Sequence, residues 1–229
     1  MASGAASQYV SQLSSDGSLL VYTTGGENGA GFVVPVRGGA SDQFCDHCAT
    51  AYDLSPDNKV VLYRKGNAIR AFNLISRRES IFMQSDKYRN YQHKFSPDGE
   101  WVTFEALHGN RSRLFVAALR GNGLPAPENE WIPVTVDEGW ADKPRWSPDG
   151  NMIYFISNRD GFFCLWAQRV DKSKHPIGTP ASVAHFHGSR VSVGNVGSGG
   201  VIKISIARDK IAINLGELTG NIWVTNLSY

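Results

Sequence analysis

The amino-acid sequence predicts an all-β protein, a β-propeller of four-stranded antiparallel blades with about five blade units in this chain. The turn sequence Ser-Pro-Asp-Gly occurs at 96–99 and again at 147–150, each time before an apolar run. Weaker copies are centred on Asp16, Asp57 and Asp209, and Asp16, Asp57 and the aspartate of the 96–99 copy are 41 residues apart. No long stretch has the 3.6-residue periodicity of a helix. Self-similarity at such a period indicates a repeat architecture.

Each repeat unit begins with a strand, a tight turn and a second strand. Proline presets φ at the first corner of the turn, and glycine takes the φ > 0 position. Asn58 can replace glycine there, whereas Lys210 in the fifth copy predicts a different turn. An apolar residue precedes the turn, and we expect the side chains at four of these positions to be buried between blades in equivalent sites. These are Leu13, Leu54, Phe95 and Trp146.

The remaining strands follow in order. The predicted second strands are 19–23, 60–63, 101–104, 153–156 and 211–214, and the predicted third strands are 32–36, 68–74, 113–119, 164–170 and 221–227. A ragged fourth segment, such as 131–136, leads to the next copy. Four short strands per repeat are typical of a propeller blade. A β-sandwich also needs alternating strands, but it gives no reason for a repeat at this spacing.

The sequence is interpreted as a single propeller domain or segment over 1–229. Its repeat units are roughly 8–49, 50–90, 91–139, 140–190 and 191–229. The last unit has no fourth strand, and residues 1–8 make a poor outer strand. Either the ring closes in an unorthodox way, or the native chain continues upstream and supplies further blades. We favour the second alternative, so this segment is expected to be part of a larger propeller.

Composition excludes several classes of function. The 229 residues carry a formal net charge of +2, which gives no electrostatic case for a nucleic-acid partner. No segment approaches the roughly 20 apolar residues of a membrane span, and the N-terminus has no apolar signal-peptide core. Nucleophile-elbow, phosphate-loop, zinc-protease and dinucleotide motifs do not occur in the sequence. We therefore expect no membrane insertion by this segment and no cofactor.

Two groups of residues have possible metal or redox chemistry. Cys45 and Cys48 could form a local disulfide, bind a metal as thiolates, catalyse redox chemistry, or be two ordinary cysteines. The disulfide is the favoured alternative and the metal site the weaker one, since Cys164 lies more than two blades away. His185 and His187 have a spacing on a strand that can bind metal. No carboxylate or third histidine is nearby in sequence, so solvated loop histidines are the favoured interpretation.

The segments that enter each innermost strand contain aromatic, histidine and acidic residues. In a propeller such segments gather on one face around the mouth of the channel, where they can form a recognition surface. The predicted binding residues are His47, Tyr91, His93, Trp140 and Asp142. The alternative is that the aromatic side chains only fill gaps between blades.

The repeats resemble the WD40-like repeats of TolB-type β-propellers, whose blades have a Trp/Phe-Ser-Pro-Asp-Gly turn before an apolar strand. The resemblance covers nearly the whole chain and is closest over 91–171. More narrowly, the segments 44–48, 157–166 and 219–224 resemble a group of large bacterial proteins. In those proteins a propeller ends a longer polypeptide, often behind a winged-helix or Ser/Thr-kinase region.

The resemblance implies a non-catalytic interaction module within a larger bacterial sensor or envelope protein. Such a module would bind a protein, peptide or glycan partner through one face. The alternative is the propeller domain of a hydrolase or lyase with its site at the channel mouth, and a third hypothesis is structural filling between domains. The resemblance also favours a periplasmic or other extracytoplasmic location, and an upstream domain in the native chain.

Overall fold

The computed structural model describes residues 8–24, 28–136, 139–188, 190–196 and 202–219, with side chains from residue 12 onward. These residues form strands joined by short connections, together with two single-turn 3₁₀ segments, Glu128–Glu130 and Gly194–Val196. Within these ranges, none of the helical segments has the length and apolar character that a membrane crossing requires.

Four antiparallel sheets follow one another along the chain, and each contains four strands in sequential order. Blade 1 contains β1 (Gln8–Leu13), β2 (Leu19–Thr24), β3 (Gly31–Pro35) and β4 (Asp42–Cys45). Blade 2 contains β5 (Thr50–Leu54), β6 (Val60–Lys65), β7 (Ala68–Asn73) and β8 (Arg78–Met83). Blade 3 contains β9 (Arg89–Phe95), β10 (Trp101–His108), β11 (Arg111–Ala118) and β12 (Ile132–Pro133). Blade 4 contains β13 (Ala141–Trp146), β14 (Met152–Ser157), β15 (Cys164–Val170) and β16 (Pro176–Ala184). The prediction of four-stranded antiparallel blades is confirmed.

The fifth unit differs from the other four. It contains β17 (Val191–Ser192), β18 (Ile204–Ile206), β19 (Ile211–Ile213) and β20 (Gly216–Glu217). In the part of this unit that the structure describes, β18 pairs with β19 and β17 pairs with β20, which gives two separate two-stranded sheets. The strand predicted over 221–227 lies outside the described residues.

One strand of each unit lies at the centre of the molecule, namely the first strand in blades 1–4 and β18 in the fifth unit. Strand β1 contacts β5, β5 contacts β9, β9 contacts β13, and β13 contacts β18. The second, third and fourth strands of each blade then follow outward. This radial arrangement surrounds a central channel, as in other β-propellers.

The repeated turn is held by its serine as well as by proline and glycine. In the third copy the Ser96 hydroxyl contacts the Asp98 carboxylate and accepts a hydrogen bond from the Trp101 backbone N–H at 3.0 Å. The Glu100 N–H donates to Asp98 at 3.0 Å, and Gly99 has φ 73°. The first, second and fourth copies repeat this network. At the fourth turn, the serine hydroxyl is the main cause of the lowered pKa of the aspartate carboxyl. The fifth copy has Ala207 at the serine position, so it lacks these bonds. The motif is therefore a self-contained hydrogen-bonded turn.

The cores lie between neighbouring blades. Between blades 2 and 3, Leu62 and Phe82 pack against Val102 and Phe104, and the Phe104 ring meets Trp131 edge-on at 4.7 Å. Similar apolar clusters join blades 1 and 2, blades 3 and 4, and blade 4 to the fifth unit. Each buried large side chain of this kind contributes roughly 1.5–3 kcal/mol, so the interfaces between blades contribute much of the stability.

The four apolar residues before the turns have equivalent positions but unequal burial. Leu54 and Trp146 are 5% and 8% exposed and Phe95 is partly buried, whereas Leu13 is 49% exposed. The prediction that Leu13 is buried is wrong. All four residues line the central channel. A side chain at this position is buried where it is long enough to contact the next blade.

Candidate binding channel

A cavity of about 500 Å³ lies at the end of the channel where the Ser-Pro-Asp-Gly turns gather. It is lined by the last residues of the inner strands β1, β5, β9, β13 and β18 and by the turns that follow four of them. Its volume is within the range of about 300–1,000 Å³ for small-molecule sites. The predicted recognition surface lies at the opposite ends of the same strands.

A ring of polar side chains lines this cavity. One residue before the apolar position, each of the five units has a polar or charged residue, and all five line the cavity: Gln12, Asp53, Lys94, Arg145 and Ser205. This position has no motif of its own in the sequence, because the turn motif and the apolar residue both come after it. Its polar character appears when the five copies are aligned on the apolar residue.

β-Bulges precede the ring in the inner strands of blades 1–4. The pairing between the first and second strands shifts register between Val10 and Gln12, between Ala51 and Asp53, and next to the equivalent residues of blades 3 and 4. Within the last two bulges, Gln92 and Lys143 adopt φ of 55° and 58°. A bulge redirects the side chains that follow it, and bulges are common next to functional sites. The backbone therefore sets the orientation of the ring.

The ring contains one paired and one additional cation. Lys94 Nζ contacts Gln12 Oε1 at 2.5 Å and Asp53 Oδ1 at 3.4 Å. Asp53 also accepts a hydrogen bond from the Phe95 N–H at 2.9 Å. Burial lowers the pKa of Lys94 to about 8, and burial raises the pKa of Asp53 against the opposing effect of Lys94. Arg145 donates from Nε to the Ile204 carbonyl at 3.0 Å. Burial lowers the pKa of Arg145, and the nearby charges of Asp53 and Asp142 oppose that effect.

A second group of buried charges lies at the other end of the inner strands. Lys143 Nζ is 2.9 Å from Asp142 Oδ2, and Glu105 accepts a hydrogen bond from the Ser112 hydroxyl at 2.8 Å. Burial, followed by the charge of Asp142, raises the pKa of Glu105 well above its usual value. Glu105 is therefore protonated to higher pH than an exposed glutamate.

The charges around the channel are not balanced. On the wall of the cavity, Lys94 and Arg145 are cations and Asp53 is the anion, and Lys203 lies near Arg145. Burial and then the charges of Lys143 and Arg145 lower the pKa of Lys203, so these cations are near enough to repel one another. An anion bound among them would relieve that repulsion.

Two of the predicted binding residues are buried. The His93 side chain is fully buried and stacks on Phe104 with ring centres 5.1 Å apart. Burial lowers its pKa to about 3, so the imidazole is neutral at physiological pH. Asp142 is 8% exposed and paired with Lys143. In this structure the His93 side chain is not accessible to a partner, and the Asp142 carboxylate is paired within the buried charge network.

The other predicted residues remain on the surface. His47 is exposed in the loop after β4, and Tyr91 is partly buried with the Arg64 guanidinium 5.6 Å from its ring centre. Trp140 is partly buried, and its backbone N–H donates to Asn158 Oδ1 at 2.7 Å. These three residues stay a proposed contact surface.

Comparisons with known proteins identify the fold. No family model matches the chain. A curated protein of uncharacterised function from Agrobacterium fabrum is 33% identical over 84 residues, which are 37% of this chain and 26% of that protein. A solved structure described as TolB from Agrobacterium tumefaciens matches with a TM-score of 0.64 and 18% identity, over 93% of this chain and 78% of that one. TolB from Acinetobacter baumannii matches with a TM-score of 0.62 and 16% identity, over 88% of this chain and 50% of that one.

The chain has the TolB-like β-propeller fold. A prolyl endopeptidase structure matches this TolB-like propeller with a TM-score of 0.57 and 13% identity, over 91% of this chain and 32% of that one. The chain spans only about a quarter, 26%, of its curated relative. At these identities the solved structures establish the fold alone.

The cysteine pair of the TolB-like propeller is a disulfide. Cys45, the last residue of β4, is bonded to Cys48, and both residues are buried beneath the loop that presents His47. Both sulfur atoms are used in the bond, so this pair offers no thiolate to a metal. Cys164 is a buried free cysteine.

Four side chains of the types that bind metal ions lie close together on blade 4 of the TolB-like propeller. Asp160 and Cys164 come from the loop after β14 and the start of β15, and His185 and His187 follow β16. The potential ligand atoms of these four residues lie within 4.8 Å of one another. Asp160 supplies the carboxylate that the sequence analysis did not find, since 25 residues separate it from His185 in the chain.

Proposed function

We propose that this TolB-like propeller is a non-catalytic interaction module that binds an acidic peptide segment of a partner protein at the turn end of its channel. The observation that carries the proposal is the charge imbalance on the wall of the cavity, where Lys94 and Arg145 are cations and Asp53 is the anion. Arg145 and the buried Lys94 lie on the wall of a cavity of about 500 Å³, so a carboxylate entering it meets both charges.

Partial burial of these cations strengthens the proposed interaction. The attraction between opposite charges is larger where water is excluded, and salt screens such charges less than charges on an open surface. Lys94 is already engaged with Asp53, which supports Arg145 and the nearby Lys203 as the main contacts for an incoming carboxylate. The binding free energy should therefore depend chiefly on those two side chains.

The test is titration of the chain with a labelled hexaglutamate peptide, with hexalysine as the opposite-charge probe. We expect saturable binding of hexaglutamate that weakens with salt, and no binding of hexalysine. The double variant R145Q/K203Q should bind at least about tenfold more weakly, since each lost contact to a charged group is worth roughly 1.5–3 kcal/mol. The variant K59Q, altered at an exposed lysine in a turn, is the matched control.

Equal binding by R145Q/K203Q and by K59Q would contradict the proposal. Preference for an acidic oligogalacturonate over hexaglutamate would replace the peptide with a glycan ligand. Because Trp146 lines the cavity, a change in tryptophan fluorescence that W146F lacks gives an independent signal of occupancy.

The wider setting is part of the same proposal. A disulfide such as Cys45–Cys48 is typical of an oxidising compartment, which supports a periplasmic or extracytoplasmic location. The same 84 residues are 37% of this chain and 26% of the curated bacterial relative, so that relative is longer, which supports a role as one segment of a larger sensor or envelope protein.

One observation favours the hydrolase alternative. The Ser182 hydroxyl lies 2.6 Å from His185 Nε2, and Asp160 Oδ2 lies 3.1 Å from His185 Nδ1. This is the order of contacts in a Ser-His-Asp triad. The three residues are exposed on blade 4, and the channel cavity does not include them, so they lack the enclosed site that stabilises charged intermediates. Hydrolysis of a peptide and ester panel that is lost in S182A would support the alternative.

A further inference from the structure

We infer that Asp160, Cys164, His185 and His187 form a zinc-binding site on blade 4. The four side chains supply one carboxylate oxygen, one sulfur and two imidazole nitrogens, all ligand types that Zn²⁺ accepts. Four protein ligands are the usual number for a tetrahedral structural zinc site. Sulfur and imidazole disfavour Mg²⁺ and Ca²⁺, which prefer oxygen ligands.

The ligand atoms are slightly closer together than around a tetrahedral zinc ion. Zinc bonds of about 2.0–2.3 Å place neighbouring ligand atoms about 3.3–3.8 Å apart. His185 Nδ1 is 3.1 Å from His187 Nε2, and each nitrogen is 3.0–3.1 Å from Asp160 Oδ2. With Cys164 included, all four atoms lie within 4.8 Å of one another. Small side-chain movements would bring the set to zinc geometry.

The contacts among the nitrogen and oxygen atoms are crowded without a cation. Two imidazole nitrogens and one carboxylate oxygen form a triangle with sides of 3.0–3.1 Å. A proton on a ring nitrogen can point along only one side of the triangle. A metal ion at the centre of the group would instead attract all three lone pairs.

The surroundings support the assignment of the ligand atoms. Ser182 Oγ lies 2.6 Å from His185 Nε2, so donation from that nitrogen to the hydroxyl leaves the Nδ1 lone pair facing the group. The Phe186 backbone N–H donates to Cys164 Sγ at 3.3 Å. Outer partners of this kind orient metal ligands and fix the histidine tautomer.

The local fold holds the four residues together. Cys164 is buried where β15 begins, paired with Ser157 across the hairpin. The rings of Phe162 and His187 stack with centres 4.6 Å apart, and His185 lies edge-on to Trp166 at 5.8 Å. A bound zinc ion would fasten the loop after β14 to the end of β16, next to Asn158, which bonds the backbone of Trp140.

The experiment is titration of the metal-stripped chain with ZnCl₂ against a chromogenic chelator. We expect one high-affinity zinc ion per chain and no comparable binding of Mg²⁺. The double variant H185A/H187A should bind zinc at least about 100-fold more weakly, because it lacks two of the four ligands. H175A, altered at an exposed histidine of the same blade, is the matched control and should bind as the wild type does.

Cobalt identifies the sulfur ligand. Co²⁺ in place of zinc should give a thiolate charge-transfer band that C164S lacks and that C45S/C48S keeps. Circular dichroism verifies that each variant is folded. Because Cys164 is buried, its replacement also perturbs packing, so the decisive variant is the one at the exposed histidines, H185A/H187A. Absence of zinc binding by the wild type, or unchanged binding by a folded H185A/H187A variant, would overturn the inference. Loss of zinc binding in C45S/C48S would place the metal site on blade 1 and would also overturn the inference.

Discussion

The indole N–H of Trp146 in blade 4 donates a hydrogen bond to the backbone carbonyl of Lys94 in blade 3, across 3.1 Å. Lys174 Nζ covers the same ring at 5.4 Å from its centre. Trp146 thus links two inner strands directly behind the polar ring. The equivalent residue of blade 1, Leu13, makes no such link because leucine has no donor and a shorter side chain.

Trp146 is therefore expected to matter far more than Leu13 for stability. W146A should lower the free energy of unfolding by about 3–5 kcal/mol, as for other buried large aromatic residues. L13A should cost less than about 1 kcal/mol, since half of Leu13 is already exposed. Urea denaturation of the two variants and the wild type gives the comparison, and equal losses would show that the two positions are energetically alike.

His93 should make the fold sensitive to mild acid. Its pKa is lowered from the model-peptide value of about 6.5 to about 3 in the folded protein. Between these pH values the unfolded chain binds a proton that the folded chain does not. The free energy of unfolding should therefore decrease as the pH is lowered, by up to about 1.4 kcal/mol per pH unit. Stability measured from pH 6.5 to 4 should fall less steeply in H93F than in the wild type. H47Q, at an exposed histidine, is the control, and parallel curves for H93F and the wild type would refute the expectation.

The buried pair Lys94 and Asp53 should show strong coupling. K94M leaves the Asp53 carboxylate buried without its cation, so we expect a loss of about 3–5 kcal/mol. D53L/K94M removes both charges and should recover most of that loss. A double-mutant cycle by chemical denaturation measures the coupling, and additive losses would show that the two charges do not stabilise each other.

The Cys45–Cys48 disulfide should stabilise the fold modestly. Chain entropy predicts about 2 kcal/mol for so short a loop. C45S/C48S should therefore unfold at lower urea concentration, with Cys164 as its remaining thiol. Alkylation of the denatured, unreduced wild type followed by mass measurement should label one cysteine, whereas three labels would show that the pair is reduced.

The repeat and its turn were predictable from the sequence because they depend on local chemistry. Pro97, Asp98 and Gly99 specify a tight turn whatever surrounds them, and a spacing of 41 residues recurs because each blade repeats the same pairing. The side-chain hydrogen bonds of Ser96 were not foreseen, although they follow from the same short segment.

The sites were less predictable because they depend on contacts between distant parts of the chain. His93 has the sequence context of a surface residue, yet a β-bulge next to it turns the ring into an aromatic core. Asp160 meets His185 because two strands of blade 4, β15 and β16, carry the chain away and return it to the same edge. The alternation of polar and apolar residues does not reveal the burial of His93, because a bulge interrupts it. Nor does it reveal the contact between Asp160 and His185, because those residues are distant in the sequence.

Because of the bulges, the polar side chains that face the cavity are distinct from the apolar side chains that pack between blades. The bulges set where the residues at 12, 53, 94 and 145 point. The chemistry of Arg145 and of the neighbouring Lys203 can therefore change while the apolar interfaces between blades stay intact. A duplicated gene could then acquire a new ligand through a few codons, without a search for a new fold. Exchange of these two cations for acidic residues should reverse the charge preference of the cavity.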